Sequence, residues 1–288
     1  MTDRIAQSGA FDEAQIERDE IEADLKAARR AAILDGAAPW LLGGATIIVW
    51  QVVCMVFAIK TFVLPAPTDI VASLWKWKGV LAVHAGQTLF TTLVGFVFAV
   101  VGGLALGVAV GYSRFLYKAL YPILIAFNSV PKVAIVPVLV IWFGIGTVPA
   151  VITAFLLSFF PIVVNVAAGL ATVEPEMEDV LRSLGASRRK IFQKVGLPRS
   201  MPYFFASLKI AITLALVGSV ISETIAANAG IGYLMLNASS RFDVPLVFAG
   251  LFVVAVLGVG IYAVFAAVET RVTGWATRAQ AIRFEGGG

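Results

Sequence analysis

Residues 79–113 read GVLAVHAGQTLFTTLVGFVFAVVGGLALGVAVGYS, thirty-five residues without a charge, bounded by Lys78 and Arg114. At about 1.5 Å of rise per residue, a helix over this stretch exceeds the roughly 30 Å hydrocarbon core of a bilayer. A barrel strand would be about 10 residues long with alternating polarity, and this run is continuous. It therefore predicts a transmembrane helix, placed near 86–111. The whole chain agrees: its 288 residues are 59% apolar and 14% charged, with a mean hydropathy of +0.90. An ordinary soluble domain carries about 45–50% apolar and about 25% charged residues. Disorder is excluded by the same numbers.

Outward from this stretch, further uncharged gaps mark further spans. The gap from Asp35 to Lys60 holds 24 residues, and that from Asp243 to Glu269 holds 25. The gap from Lys132 to Glu174 holds 41, too many for one helix, and Gly144-Ile145-Gly146-Thr147-Val148-Pro149 breaks it. One more apolar run, between Pro202 and Ala226, is interrupted by Lys209 and Glu223. The expectation is an all-α integral membrane protein with six transmembrane helices, near 37–59, 86–111, 119–142, 148–171, 202–226 and 244–268. The first run is long enough to span, so it reads as a span and not as a cleaved leader. With the N-terminus inside, sixteen Lys and Arg fall in inside segments and four (Lys60, Lys76, Lys78, Arg241) in outside loops. That bias puts both termini in the cytoplasm.

Outside the spans lie four segments with their own signatures. Residues 1–36 place Phe11, Ala14, Ile21, Leu25, Ala28 and Ala32 at a 3-4 spacing, an amphipathic helix for a membrane surface or a cytoplasmic partner. Outside, Leu64-Pro65-Ala66-Pro67-Thr68-Asp69 reads as a turn into a helix start. Trp75 and Trp77 follow, as interface anchors or as a docking surface. Residues 276–288 form a cytoplasmic tail. Residues 172–201 are the longest polar stretch between spans. There Pro175 fits the first turn of a helix, and Glu176, Glu178 and Asp179 suit its positive end. Gly185 sits where a left-handed terminator belongs. Ser187 caps a second, basic helix carrying Arg188, Arg189 and Lys190, which Pro198 ends. A helix, a glycine turn and a basic helix make a docking element, more than a basic flank needs to set topology.

This loop resembles the signature of permease subunits of binding-protein-dependent ABC importers: Glu-Ala-Ala, three residues, Gly, nine residues, Ile, any residue, Leu-Pro. Nine residues after Gly185 come Val195, Gly196, Leu197 and Pro198, and the Gly to Leu-Pro spacing matches. Asp179-Val180-Leu181 stands where the family has Glu-Ala-Ala. Leu64-Pro65-Ala66-Pro67, residues 131–137, residues 141–146 and Gly230-Ile231-Gly232-Tyr233 are similar to the nitrate/sulfonate/taurine branch. The resemblance runs from about residue 40 to 275, so residues 37–275 are the expected permease domain.

The resemblance implies a bacterial inner-membrane permease whose two copies, most simply a homodimer, form the pathway for a small solute. A periplasmic binding protein delivers the solute, of the nitrate, sulfonate, taurine or pyrimidine type. A dimer of cytoplasmic ABC ATPases receives the coupling helix between spans 4 and 5. Asp179, Arg182, Ser183, Leu184, Gly185, Ala186, Arg188, Leu197 and Pro198 are the implied ATPase-coupling residues. The arginines could bind an acidic partner surface or anionic lipid headgroups. ATP and Mg would be bound by the partner, because none of the nine lysines follows a glycine as a phosphate loop requires. No cofactor, metal site or nucleic-acid partner is expected for this chain.

Charges and amides at membrane depth are candidate pathway residues: Asn128, Lys132, Asn165 and Glu223. Glu223 and Lys132 are alternatively structural, by snorkelling, pairing or helix–helix hydrogen bonding. Gly103, Gly107 and Gly111 repeat every four residues and predict close helix packing. Pro122, Pro131 and Pro137 predict a kinked third span. Two rival readings remain. A proton-coupled secondary transporter would use Glu223 and Lys132, yet no internal repeat is evident and the 172–201 loop goes unexplained. An intramembrane enzyme would need a nucleophile with a base, or a metal cluster, from a chain holding one His (His84) and one Cys (Cys54).

Overall fold

The computed structural model describes residues 37–171 and 175–285. The expected amphipathic helix of residues 1–36 lies outside the described residues. Every regular element described is helical. The chain divides into two units, residues 1–68 and 69–288.

In the first unit, α1 (Ala37–Val56) carries apolar side chains around its whole circumference, from Trp40 to Val56, as a lipid-bathed helix does. Its chain reverses through Ala58, whose φ of 45° is left-handed. Ile59 N–H donates to Cys54 O and Ala58 N–H to Met55 O, which satisfies carbonyls the helix end would leave bare. Gln51 then holds Thr68 through both its backbone N–H and its hydroxyl, each at 3.2 Å. That contact anchors the start of α2 (Pro67–Lys76). Proline at the first helical position and Asp69 in the first turn explain why the helix begins there.

The second unit is built on α6 (Thr147–Ala171), which packs against α3 (Lys78–Tyr112) on one side and α9 (Leu197–Ala226) on the other. Small residues permit the approach. A Cβ on Gly107 would stand 2.8 Å from Val166 Cβ, and one on Gly103 2.9 Å from Ile162 Cβ. Gly111 meets Leu170 in the same way at 3.0 Å. The stripe continues beyond the predicted glycines to Ala99, fully buried, and Gly95, pressed on Ala154. Gly218 of α9 approaches Thr153 and Ala154 from the other side. Phe96, Ala154, Ile162, Val166, Leu208, Ile212 and Ala215 form the core between these three helices.

Among the described residues, five helices are long and apolar enough to cross a membrane, six when a bent pair is counted as one span. The predicted span 119–142 is that pair: Phe115–Ser129 and Lys132–Phe143 meet at 79°. Of its three prolines, Pro131 makes the break. Val130 is extended (φ −70°, ψ 128°), as a residue before proline must be, and Pro131 has no N–H to continue the ladder. Pro122 stays inside α4 (Arg114–Ser129), and Pro137 sits harmlessly in the first turn of α5 (Val136–Phe143). A turn through Gly144 (φ 78°) and Gly146 (φ 144°) leads into α6, where the break was expected.

The last helix, α11, runs from Val244 to Glu285, so the expected tail continues it as helix to that residue. Asp243 caps its start through Leu246 N–H at 3.2 Å. Phe265 packs edge-on against Phe96 at 5.1 Å. Lys209 of α9 forms an ion pair with Glu269, which explains how a charge is carried within the fifth span.

Candidate functional site

Two regions at opposite ends of α9 gather the polar residues. At its start, α7 (Pro175–Ser183) ends in a complete glycine terminator. Gly185 has φ 80°; its N–H donates to Arg182 O at 2.9 Å, and Ala186 N–H reaches back to Leu181 O at 2.9 Å. Asp179 Oδ1 and Arg182 face each other at 3.7 Å on the exposed surface, and Ser183 Oγ donates to Asp179 O. Leu184 is 78% and Val180 60% exposed, one turn apart, so the helix offers an apolar pair bordered by charge. Val180 was missed by reading the signature triad alone, although its spacing from Leu184 is helical. The side chains of residues 171–178, which include Glu176 and Glu178, lie outside the described ones, as does that of Arg188.

Ser187 caps the next helix as expected, accepting from Lys190 N–H at 3.4 Å. Pro198 corrects its predicted role, because it does not end that helix. Instead α8 (Arg188–Ile191) widens into a π-helical turn, Phe192–Gly196, and continues as α9. Leu197 N–H bonds to Phe192 O, five residues back. A proline lacks the donor for a regular turn and its ring crowds the carbonyl four residues earlier; the wider turn relieves both. The segment from Arg188 onward is thereby continuous with the fifth span.

At the other end of α9, Glu223 is 1% exposed. Its Oε2 accepts from Thr88 Oγ1 at 2.8 Å and from Gly232 N–H at 3.2 Å, and its Oε1 accepts from Thr91 Oγ1 at 3.1 Å. The threonines lie on one face of α3. Gly232 lies in the first turn of α10 (Ile231–Ser240). Thr88 Oγ1 also accepts from Ile231 N–H at 2.8 Å, and His84 Nδ1 accepts from Gly230 N–H at 3.0 Å. Three consecutive backbone donors that a helix start would leave bare are met by side chains of α3 and α9, and the carboxylate suits the positive helix end. Gly230 (φ 109°) has no room for a Cβ, which would strike the Glu223 carboxylate.

Glu223 and Lys132 are not brought together. Lys132 Nζ donates to the Asn128 carbonyl and, at 2.8 Å, to Asn128 Oδ1, at the bend of the broken span. Asn165 Nδ2 donates to Pro161 O at 2.8 Å. His84, Thr88 and Thr91 lie more than 130 residues from Glu223 in sequence, and no local signal marked them as its partners.

The family model for the binding-protein-dependent transport system inner membrane component matches residues 99–274. The chain belongs to this family. The formylaminopyrimidine transport permease ThiX of Halalkalibacterium halodurans is 30% identical over 229 residues, covering 79% of this chain and 91% of ThiX. The putative aliphatic sulfonates permease SsuC of Escherichia coli is 31% identical over 223 residues, 77% of this chain and 85% of SsuC. The taurine permease TauC of Escherichia coli is 29% identical over 234 residues, 79% and 85%. In fold, the chain is similar to the inward-facing MetNI methionine ABC transporter, with a TM-score of 0.62 at 20% identity over 69% of this chain and 98% of that one. The protein is thus a multi-pass inner-membrane permease of an ABC importer. The proton-coupled carrier reading finds no support, and its two residues are engaged separately.

Proposed function

We propose that two copies of this chain line the path of an ATP-driven importer whose cytoplasmic ATPase dimer docks on α7 and the 172–201 loop. A periplasmic binding protein would deliver the solute, a small anion of the sulfonate, taurine or nitrate kind or a pyrimidine-type compound. The names of the similar permeases support the pyrimidine, sulfonate and taurine members of that range. Both termini would face the cytoplasm, and hydrolysis would belong to the partner. Asn128, Lys132 and Asn165 are the residues proposed for the path, and Glu223 for its outer end.

The observation that carries the coupling reading is the α7–Gly185 terminator leading into α8, which runs into α9 without a break. A short helix held by a hydrogen-bonded glycine turn against a segment continuous with a span can pass on a push that a loose loop would absorb. Asp179, Arg182, Ser183, Leu184, Gly185, Ala186, Arg188, Leu197 and Pro198 are its proposed residues. Proline cannot adopt the φ of 80° that Gly185 holds. Gly185→Pro is expected to leave the permease in the membrane and remove the ATPase from a mild-detergent pull-down. Equal recovery of an ATPase with parent and variant would refute the assignment.

A further inference from the structure

We propose that Lys132 and Asn128 form an anion-recognition site on the wall of the path, so that the permease itself, and not its binding protein alone, selects a negatively charged solute such as a sulfonate. The inference rests on the proposed placement of these two residues on a path shared by two copies. The site lies at the break of the bent span, near the middle of the 115–143 crossing. There Val130 is extended and Pro131 has no N–H, so the helical ladder is interrupted at membrane depth. Interrupted backbone is tolerated at that depth only where protein covers it or water reaches it. Asn128, Ser129, Val130 and Pro131 are all exposed on this chain. The far side of the break is anchored: Val136 and Leu139 are buried, and α5 packs on α6 and α9. The bare side of the break therefore faces the space enclosed by the two copies and not lipid.

What that side presents is donors and positive charge. Lys132 Nζ donates to the Asn128 carbonyl and, at 2.8 Å, to Asn128 Oδ1. The carbonyl contact holds the ammonium at the negative end of α4, where the last carbonyls lack helical partners. Together the two contacts use two of the three ammonium donors. With Oδ1 turned to the ammonium, the Nδ2 donors of Asn128 point away from it. No carboxylate of the described residues pairs with Lys132, whereas Lys209 within the fifth span has Glu269. An uncompensated ammonium at membrane depth is expensive, and an anion beside it offsets that cost. Such an anion gains a charge-assisted hydrogen bond from Lys132 and amide donors from Asn128. A neutral pyrimidine gains no charge-assisted bond, and the Asn128 oxygens it would need as acceptors are engaged by the ammonium.

The test places a thiol beside the pair without touching it. Ser129 suits this, because its hydroxyl is engaged with Ile125 O at 2.9 Å and not with Lys132. Ser129→Cys is made in the full-length chain carrying Cys54→Ser, in lipid nanodiscs that leave both membrane faces open. Two methanethiosulfonate reagents of similar size are compared, one ending in a sulfonate and one in a trimethylammonium group. The readout is the ratio of their labelling rates, divided by the same ratio for a small free thiol in solution. Any effect of Lys132 on the ionisation of the thiol cancels in that ratio. The parent is expected to favour the sulfonate reagent. Lys132→Gln is expected to lower the ratio about tenfold, the scale for unit charges within about 10 Å in a partly aqueous space. Lys132→Arg, which keeps the charge, is expected to stay within about twofold of the parent. Asn128→Asp, which sets a carboxylate against the ammonium, is expected to lower the ratio as Lys132→Gln does. A ratio unchanged by Lys132→Gln, with both reagents reacting, would leave the path standing and overturn the anion site, reducing the lysine to a cap on α4. Reaction with neither reagent would show Ser129 covered by lipid or protein and would reject the placement on the path, and the site with it. Should Lys132→Gln be absent from the membrane, Asn128→Asp carries the same criterion.

Discussion

Glycines in α3 show how one missing Cβ decides different things at different positions. Gly107 faces Val166 Cβ at a distance that leaves no room for a side chain, whereas Gly86 of the same helix has nothing within 4 Å. Gly107→Val is expected to lower stability by about 1–3 kcal/mol through overpacking. Gly86→Ala is expected to raise it by up to about 1 kcal/mol through helix propensity. Thermal unfolding of the purified permease in detergent checks both, and a loss of equal size in the two variants would contradict the packing described. The exposed residues beside the Gly185 turn make a different residue-scale case. Val180 and Leu184 touch little of their own chain, so changing them should spare folding and affect partner binding.

At the scale of elements, α8 and α9 form one continuous helical run because the π-helical turn at Phe192–Gly196 carries the chain past Pro198, and the Gly185 turn sets α7 against the start of that run. Val180→Ser with Leu184→Ser is expected to reduce ATPase copurification about tenfold, as loss of an apolar anchor pair would, with unchanged membrane insertion. Full recovery would show that α7 docks through charge and not through its apolar pair. Asp179→Lys is expected to weaken coupling less than Gly185→Pro, because it alters one exposed ion pair while the turn remains. The ratio of ATPase activity to solute uptake in proteoliposomes distinguishes the two. The third span shows the converse, an element divided by its sequence: Pro131 parts α4 from α5, and the bend sets Lys132 beside Asn128.

At the scale of the whole molecule, the last helix is held to the core by the Lys209–Glu269 ion pair and by Phe265 on Phe96. Both charges are mostly buried, with 22% and 19% of their side chains exposed. Removing one partner leaves a poorly solvated charge, which costs more than the pair contributes. Lys209→Met is expected to lower the melting temperature in detergent by several degrees, a scale of about 2–4 °C per kcal/mol for a chain of this size. Exchanging the two charges together should restore most of it. A melting temperature unaffected by Lys209→Met would remove the pair from the account of how α11 is held.

What the amino-acid sequence by itself determined is whatever depends on neighbours along the chain. Uncharged runs of bilayer length marked the spans, Pro175 and Gly185 bounded α7, and the four-residue glycine spacing of α3 revealed a packing face. Each is a local or periodic property, readable without knowing what lies opposite. Pro198 was misread for a related reason: its effect depends on whether the preceding turn can widen, and that is settled by how α8 and α9 are held together. Only the tertiary structure decided the partners of Glu223. The carboxylate meets Thr88 and Thr91 from more than 130 residues away and Gly232 from the next helix, and does not meet Lys132, the partner that charge alone suggested. A buried charge takes the donors that the packing of helices brings within hydrogen-bonding distance, and a linear sequence does not contain that distance.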